Sequence, residues 1–122
     1  MAIAAVGLGA CDDRRPQPLT IDNALTADEI AAGRLTPEVM WKMSRAGSSS
    51  LSPDGRTLLY QQTDYNMAQN RGVTTLWVQD MASGAVTRLT DTASNNAAPE
   101  WSSDGRKIYF LSDRSGSMQV WR

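Results

Sequence analysis

Histidine is absent from the 122 residues, and cysteine occurs once, at Cys11. Those two counts bound the chemistry. A Ser or Cys nucleophile would have no imidazole base to activate it. Zinc loses its commonest ligand, and a single thiol makes neither an internal disulfide nor a Cys cluster. The Gly-x-Ser-x-Gly turn that raises a hydrolytic serine is also missing from the sequence. No catalytic residue, metal site or cofactor is therefore expected within this chain. One polar run does carry groups suited to recognition. It is read as a long loop from Thr63 to Thr74 and holds Asp64, Tyr65, Asn66, Gln69, Asn70 and Arg71. Amide, phenol and guanidinium groups can meet a peptide's backbone or its termini. Tyr65, Asn66, Gln69, Asn70 and Arg71 are thus the candidate contacts, either to a substrate or to a neighbouring domain. A solvated hairpin extension is the plainer reading of the same loop.

Composition narrows the partners. Hydrophobic residues make up 41% and charged residues 20%, with a formal net charge of −1. That is ordinary for a globular protein. Lys and Arg are scattered, so the basic stripe needed to neutralise nucleic-acid phosphates is lacking. No apolar run approaches the roughly 20 residues that cross a bilayer.

The start of the chain, Met1-Ala2-Ile3-Ala4-Ala5-Val6-Gly7-Leu8-Gly9-Ala10-Cys11, is small and apolar, then turns to Asp12-Asp13-Arg14-Arg15-Pro16. Leu8-Gly9-Ala10-Cys11 resembles the lipobox that ends a bacterial lipoprotein signal peptide. The resemblance implies lipidation at Cys11, a membrane partner reached through that anchor, and export to the periplasmic side of a bacterial membrane. The apolar part is shorter than a usual signal and opens without Lys or Arg, so a clipped or misassigned start is expected. A buried N-terminal segment with an incidental Cys is the alternative. Residues 1–11 are accordingly read as a signal remnant, and 12–24, polar with Pro16 and Pro18, as a flexible linker.

A helical lead-in is expected over 25–46. Thr26 precedes Glu29 by three residues, the spacing of a capping box, and Gly33 suits the end of that helix. Thr36 caps a second helix with Pro37 at its first position. Val39, Met40 and Met43 fall on one side of it, with Trp41 on the flank. This stripe is expected to pack against the neighbouring β structure rather than to hold a cofactor.

The fold is carried by an internal repeat. Leu51-Ser52-Pro53-Asp54-Gly55-Arg56-Thr57-Leu58-Leu59-Tyr60 returns 50 positions later as Trp101-Ser102-Ser103-Asp104-Gly105-Arg106-Lys107-Ile108-Tyr109-Phe110. Leu76-Trp77-Val78 returns as Val120-Trp121-Arg122, so the second copy has the shorter loop. Ser-Pro-Asp-Gly predicts a type I turn, followed by a strand. Thr75 to Met81 reads as a third strand and Val86 to Thr90 as a fourth. Four short antiparallel strands per ~40–50 residues is the pattern of a propeller blade. The fold class is therefore all-β: a partial β-propeller of about two four-stranded blades over 47–122, the second incomplete, preceded by two short helices. Arg56 and Arg106 are read as solvated turn positions rather than a ligand pair.

Ser52-Pro53-Asp54-Gly55, Leu76-Trp77-Val78-Gln79-Asp80, Arg88-Leu89-Thr90 and Pro99-Glu100-Trp101-Ser102-Ser103-Asp104-Gly105 resemble the blades shared by the prolyl oligopeptidase family and the Tol-system periplasmic propeller. Leu35-Thr36-Pro37-Glu38-Val39-Met40-Trp41-Lys42-Met43, Tyr65-Asn66-Met67-Ala68-Gln69-Asn70-Arg71-Gly72 and Phe110-Leu111-Ser112-Asp113-Arg114-Ser115-Gly116-Ser117-Met118-Gln119-Val120-Trp121 are similar to bacterial dipeptidyl-peptidase V-type enzymes. That resemblance implies an N-terminal propeller that gates short peptides, followed by a C-terminal α/β-hydrolase domain bearing Ser, Asp and His. None of the three maps onto this chain, so the chain alone is expected to be inactive. The alternative is a non-enzymatic, Tol-like scaffold that binds proteins. A free-standing sensor or sugar-binding propeller is a third reading.

Overall fold

The computed structural model describes residues 17–122. Two short helices come first, α1 (Ala27–Ala32) and α2 (Pro37–Lys42), followed by seven strands in two sheets. The first sheet has the order β1-β2-β3-β4, formed by Arg45–Leu51, Thr57–Asn66, Arg71–Asp80 and Val86–Arg88. The second has the order β5-β6-β7, formed by Asn96–Trp101, Ile108–Ser112 and Gln119–Trp121. Every pairing is antiparallel and every neighbour in the sheet is the next strand in sequence. These are meandering blades, the second with three strands, and they do not close into a ring.

The two copies of the repeat fold to the same turn, bond for bond. Ser52 Oγ donates to Asp54 Oδ1 (2.6 Å), and Asp54 Oδ1 accepts the Arg56 amide (3.0 Å). Ser52 Oγ also accepts the Thr57 amide (2.9 Å), and the Gly55 amide closes the turn onto Ser52 O (2.8 Å). In the second copy the Ser102–Asp104, Asp104–Arg106 and Ser102–Lys107 bonds are 2.5, 3.1 and 2.9 Å. Gly55 and Gly105 sit at φ 71° and 69°, a region open to Gly at little cost. The Ser hydroxyls satisfy backbone donors that the turn leaves unpaired, and the carboxylates hold those hydroxyls in place. Pro53 is dispensable to this geometry, since Ser103 stands in its place in the second copy.

Part of the core lies between the blades, and Val73 is buried on the opposite face of the first sheet. Leu59 and Gln61 share a strand face, and Gln61 pairs with Leu76 across β2–β3. Leu59 and Leu76 are completely buried. The second blade covers this face mainly through β5. Trp101 Nε1 donates to Ser50 O (3.2 Å), and Asn96 Nδ2 to Thr74 O (3.1 Å). The Ala98 amide donates to Gln61 Oε1 (3.3 Å). Gln61 reaches Ala98 because Gly47 leaves it room: a Cβ at Gly47 would lie 2.4 Å from Gln61 Nε2. Both inner strands carry a register shift, between Ala46 and Ser49 and between Ala97 and Glu100.

The helix termini form as their sequences predict. Thr26 and Glu29 make a reciprocal capping box, Gly33 ends α1 at φ 57°, and Thr36 Oγ1 accepts the Val39 amide. The expected face of α2 holds only in part: Val39 is half-buried, Met40 and Met43 are exposed, and Trp41 meets Tyr65 of the sheet. A six-residue helix is less than two turns long, so its orientation follows its best single anchor rather than a stripe. Of the stretch read as linker, residues 17–24 lie along the first blade. Leu19 is buried with its amide on Thr92 O (3.0 Å), and Thr20 O accepts Asn66 Nδ2 (2.7 Å). Cys11 and the signal-like segment lie outside the described residues.

Candidate functional site

The run expected to be a long loop is mostly strand. β2 continues through Asn66 and β3 starts at Arg71, leaving Met67–Asn70 as the loop. The third strand thus begins earlier than Thr75, and the fourth stops at Arg88. Most of the polar strand residues fit the sheet because they found partners. Thr63 and Thr74 join hydroxyls across the ladder (2.8 Å). Asp64 is buried, accepting from Ser44 Oγ and, at 3.0 Å, from Gln62 Nε2. The ring of Tyr65 lies over Gly72, its cross-strand partner, where a Cβ would come within 2.8 Å of Tyr65 Cε1.

That ring is the floor of an aromatic clamp. Trp41 meets Tyr65 edge to face, with centroids 5.1 Å apart. Arg45 places its guanidinium 4.7 Å from both ring centres. Such contacts contribute about 0.5–1.5 kcal/mol per aromatic pair and a similar amount per exposed cation–π contact. They tie α2 to the end of the hairpin. Lys42 secures the helix from its other side, donating to Glu29 Oε2 (2.7 Å) and Ala24 O (3.1 Å). The Lys42 ammonium, with the Thr26 amide, holds the Glu29 carboxyl below its ordinary value.

Around this clamp two clefts open. The larger, about 410 Å³, lies between α2, residues 22–23 and the hairpin, with Pro37, Trp41 and Met67 in its wall and Asp22, Glu38 and Asn66 among its polar groups. The smaller, about 200 Å³, is bounded by Trp41, Tyr65, Asn70 and Arg71. Asn23, which lines the larger cleft, has a buried Nδ2 without a hydrogen-bond acceptor among the described residues.

The candidate contact residues therefore separate by role. Tyr65 belongs to the clamp. Asn66 is occupied at both ends of its amide, accepting the Gln69 amide (2.8 Å) and donating to Thr20 O. Asn70 supplies the left-handed turn position at φ 48°, which Asn tolerates better than most residues. The side chains of Gln69 and Arg71 are exposed and make no hydrogen bond within the described residues. Trp41 and Arg45 were not among the expected contacts: they lie on α2 and β1, and only the packing of α2 against the hairpin brings them to Tyr65. No nucleophile–base pair and no group of metal-ligating side chains forms among the described residues. The arrangement is one of packing contacts around a clamped helix and two open clefts.

Comparisons with known proteins agree with the architecture. Over 86 residues, 70% of this chain, it is 38% identical to a Porphyromonas gingivalis protein named dipeptidyl-peptidase 5, of which the match covers 13%. It is 38% identical over 87 residues to the uncharacterized protein Atu1656 of Agrobacterium fabrum, covering 71% of this chain and 28% of that protein. It is 29% identical over 92 residues, 75% of the chain, to 12% of the uncharacterized peptidase YuxL of Bacillus subtilis. The chain thus spans a small part of each relative. Residues 24–122 match the TolB beta propeller domain. With two meandering antiparallel blades built on a repeated Ser-x-Asp-Gly turn, the chain belongs to the TolB beta propeller domain family.

Proposed function

We propose that these blades begin the propeller of an exported, lipid-anchored serine exopeptidase of the prolyl oligopeptidase type. The propeller limits access to short peptides, and a hydrolase domain elsewhere in the protein cuts dipeptides from their N-termini. The observation that carries this reading is the 38% identity to dipeptidyl-peptidase 5 over 86 residues, 70% of the chain. The structure adds support, because the hairpin tip and α2, where the resemblance to such enzymes is narrowest, form one clamped surface presenting Gln69 and Arg71. That surface faces peptide substrates or the hydrolase domain. Closing a site in this way excludes water and strengthens the electrostatics inside it.

The test is the full-length protein. It should release dipeptides from N-terminally free chromogenic substrates and lose that activity to a Ser-directed organophosphonate. Its nucleophile should lie in a Gly-x-Ser-x-Gly elbow beside the amides that stabilise the oxyanion. Residues 1–122 alone should give no turnover. A second reading is favoured by one observation. The match covers about twice the share of the Agrobacterium protein that it covers of the dipeptidyl-peptidase, so that relative is about half as long. A full-length protein made of further blades, with no Ser-Asp-His set and no turnover, would be a Tol-like binding scaffold instead.

A further inference from the structure

A second cleft, of about 490 Å³, lies between the two blades, away from the α2 hairpin surface. Its apolar wall includes Leu89, just after β4, and Ile108 and Phe110 of β6, and its cations include Arg106, Lys107 and Arg114. No Asp or Glu side chain is among its lining residues. Among the described residues none of these cations has an acidic side chain within salt-bridge distance, the only such pair being Lys42–Glu29. Asp104 is close in sequence, but its Oδ1 is engaged by the Ser102 hydroxyl and the Arg106 backbone amide.

Arg114 is held unusually well for an exposed residue. Its guanidinium lies 5.1 Å from the Phe110 ring centre and 5.0 Å from that of Trp121. Its Nε donates to Ser112 Oγ (3.1 Å) and its Nη2 to Asn96 Oδ1 (3.3 Å). Ser112 and Asn96 are completely buried. Asn96 is itself fixed by donating to Thr74 O and Ser94 O. These two bonds leave three of the five guanidinium N–H donors unused. A flexible arginine loses rotamer freedom on binding; this one has lost it on folding. A planar fork fixed in advance matches a carboxylate bidentately, and Lys107 and Arg106 add positive potential from the neighbouring turn.

We propose that this inter-blade cleft recognises an acidic peptide segment, with a carboxylate on Arg114 and apolar neighbours against Leu89, Ile108 and Phe110. The pairing of a cationic rim with an apolar wall selects a carboxylate flanked by hydrophobic side chains over a small, fully hydrated anion. The proposal does not depend on the peptidase reading, because it concerns a surface distinct from the α2 hairpin and involves no cleavage.

The test is calorimetric titration of the full-length protein with acetyl-Leu-Glu-Leu-amide, its Gln counterpart and inorganic phosphate. The blocked ends keep the peptides from exopeptidase turnover. The Glu peptide should bind at least about tenfold more tightly than the Gln peptide or phosphate, and more weakly as salt rises. Arg114→Lys keeps the charge but loses the fork, and should weaken the Glu peptide about tenfold. Lys107→Glu, on an exposed side chain whose backbone bond is untouched, should abolish the preference for Glu over Gln even if Arg114 variants fold poorly. Arg56→Glu, at the matching turn of the first blade and outside the cleft, should leave binding unchanged. Any of four results overturns the proposal: no binding at millimolar peptide, equal affinity for the Gln peptide, phosphate binding as tight as the Glu peptide, or an equal loss with Arg56→Glu.

Discussion

Asn96 is the polar group on which the union of the two blades most depends. It is fully buried at the start of β5. Its amide donates to Thr74 O of the first blade (3.1 Å) and to Ser94 O (3.0 Å), and its Oδ1 accepts from Arg114 (3.3 Å). Asn96→Ala removes all three bonds and leaves a space too confined for bulk water to restore them. A buried group stripped of its partner costs about 1–3 kcal/mol. Arg114 is exposed and stays held by Ser112, Phe110 and Trp121, so water can take the place of Asn96 on its Nη2 and that bond adds little. Leaving two carbonyls short of a donor then gives an expected loss of about 2–4 kcal/mol, or roughly 30- to 1,000-fold in the unfolding equilibrium. The neighbouring Asn95 provides the control. Its Oδ1 accepts the Thr74 amide (3.1 Å) and its Nδ2 donates to Asp113 (3.2 Å), but it is exposed and water can replace both. Asn95→Ala should cost under about 1 kcal/mol. Urea unfolding of the two variants against wild type measures the difference through the midpoint at constant slope. Equal costs, or a loss below about 1 kcal/mol for Asn96→Ala, would refute the claim that burial of this amide couples the blades.

The clamp gives a second expectation: Trp41→Ala should lose about 1–2 kcal/mol, while Trp41→Phe retains most of it, as read by the same urea titration. Gly72→Val should release α2 as well, because a Cβ there overlaps the Tyr65 ring; near-ultraviolet circular dichroism should lose the Trp41–Tyr65 contribution. Ser52 and the Arg56 amide hold the Asp54 carboxyl below its ordinary value of 3.8, and Ser102 and the Arg106 amide do the same for Asp104. A depressed folded-state value means the stabilisation is complete above pH 3.8 and disappears as pH falls through the lower folded value. Stability in that acid range should therefore be less pH-dependent in the Asp54→Asn/Asp104→Asn double variant, as measured by thermal unfolding across pH. If Cys11 carries a lipid, Cys11→Ser should move the full-length protein, made with its complete signal, from the membrane fraction to the soluble fraction; mass spectrometry should find the diacylglyceryl group only on wild type.

The sequence by itself determined the blades and the turns that start them. Ser52-x-Asp54-Gly55 and Ser102-x-Asp104-Gly105 specify their geometry within a few residues, because the hydroxyl, the carboxylate and the left-handed glycine all act on adjacent backbone. Local bonds of this kind are legible without knowing the rest of the fold, and so were the caps at Thr26 and Thr36. Tertiary structure decided where polar residues went. Asp64, Tyr65 and Asn66 read as loop by type, yet they belong to a long hairpin, because Ser44, Trp41 and Thr20 supply partners from elsewhere. Trp41, not Met40 or Met43, became the anchor of α2 for the same reason: a receptive ring lay within reach. The fixed guanidinium of Arg114 was equally invisible beforehand. Its position depends on Asn96, which is distant in sequence, on the stacking of Phe110 and Trp121, and on the first blade holding Asn96 in place. Short-range hydrogen-bond patterns are written in composition and spacing, whereas the partner of a side chain that reaches between sheets is set only when the sheets pack.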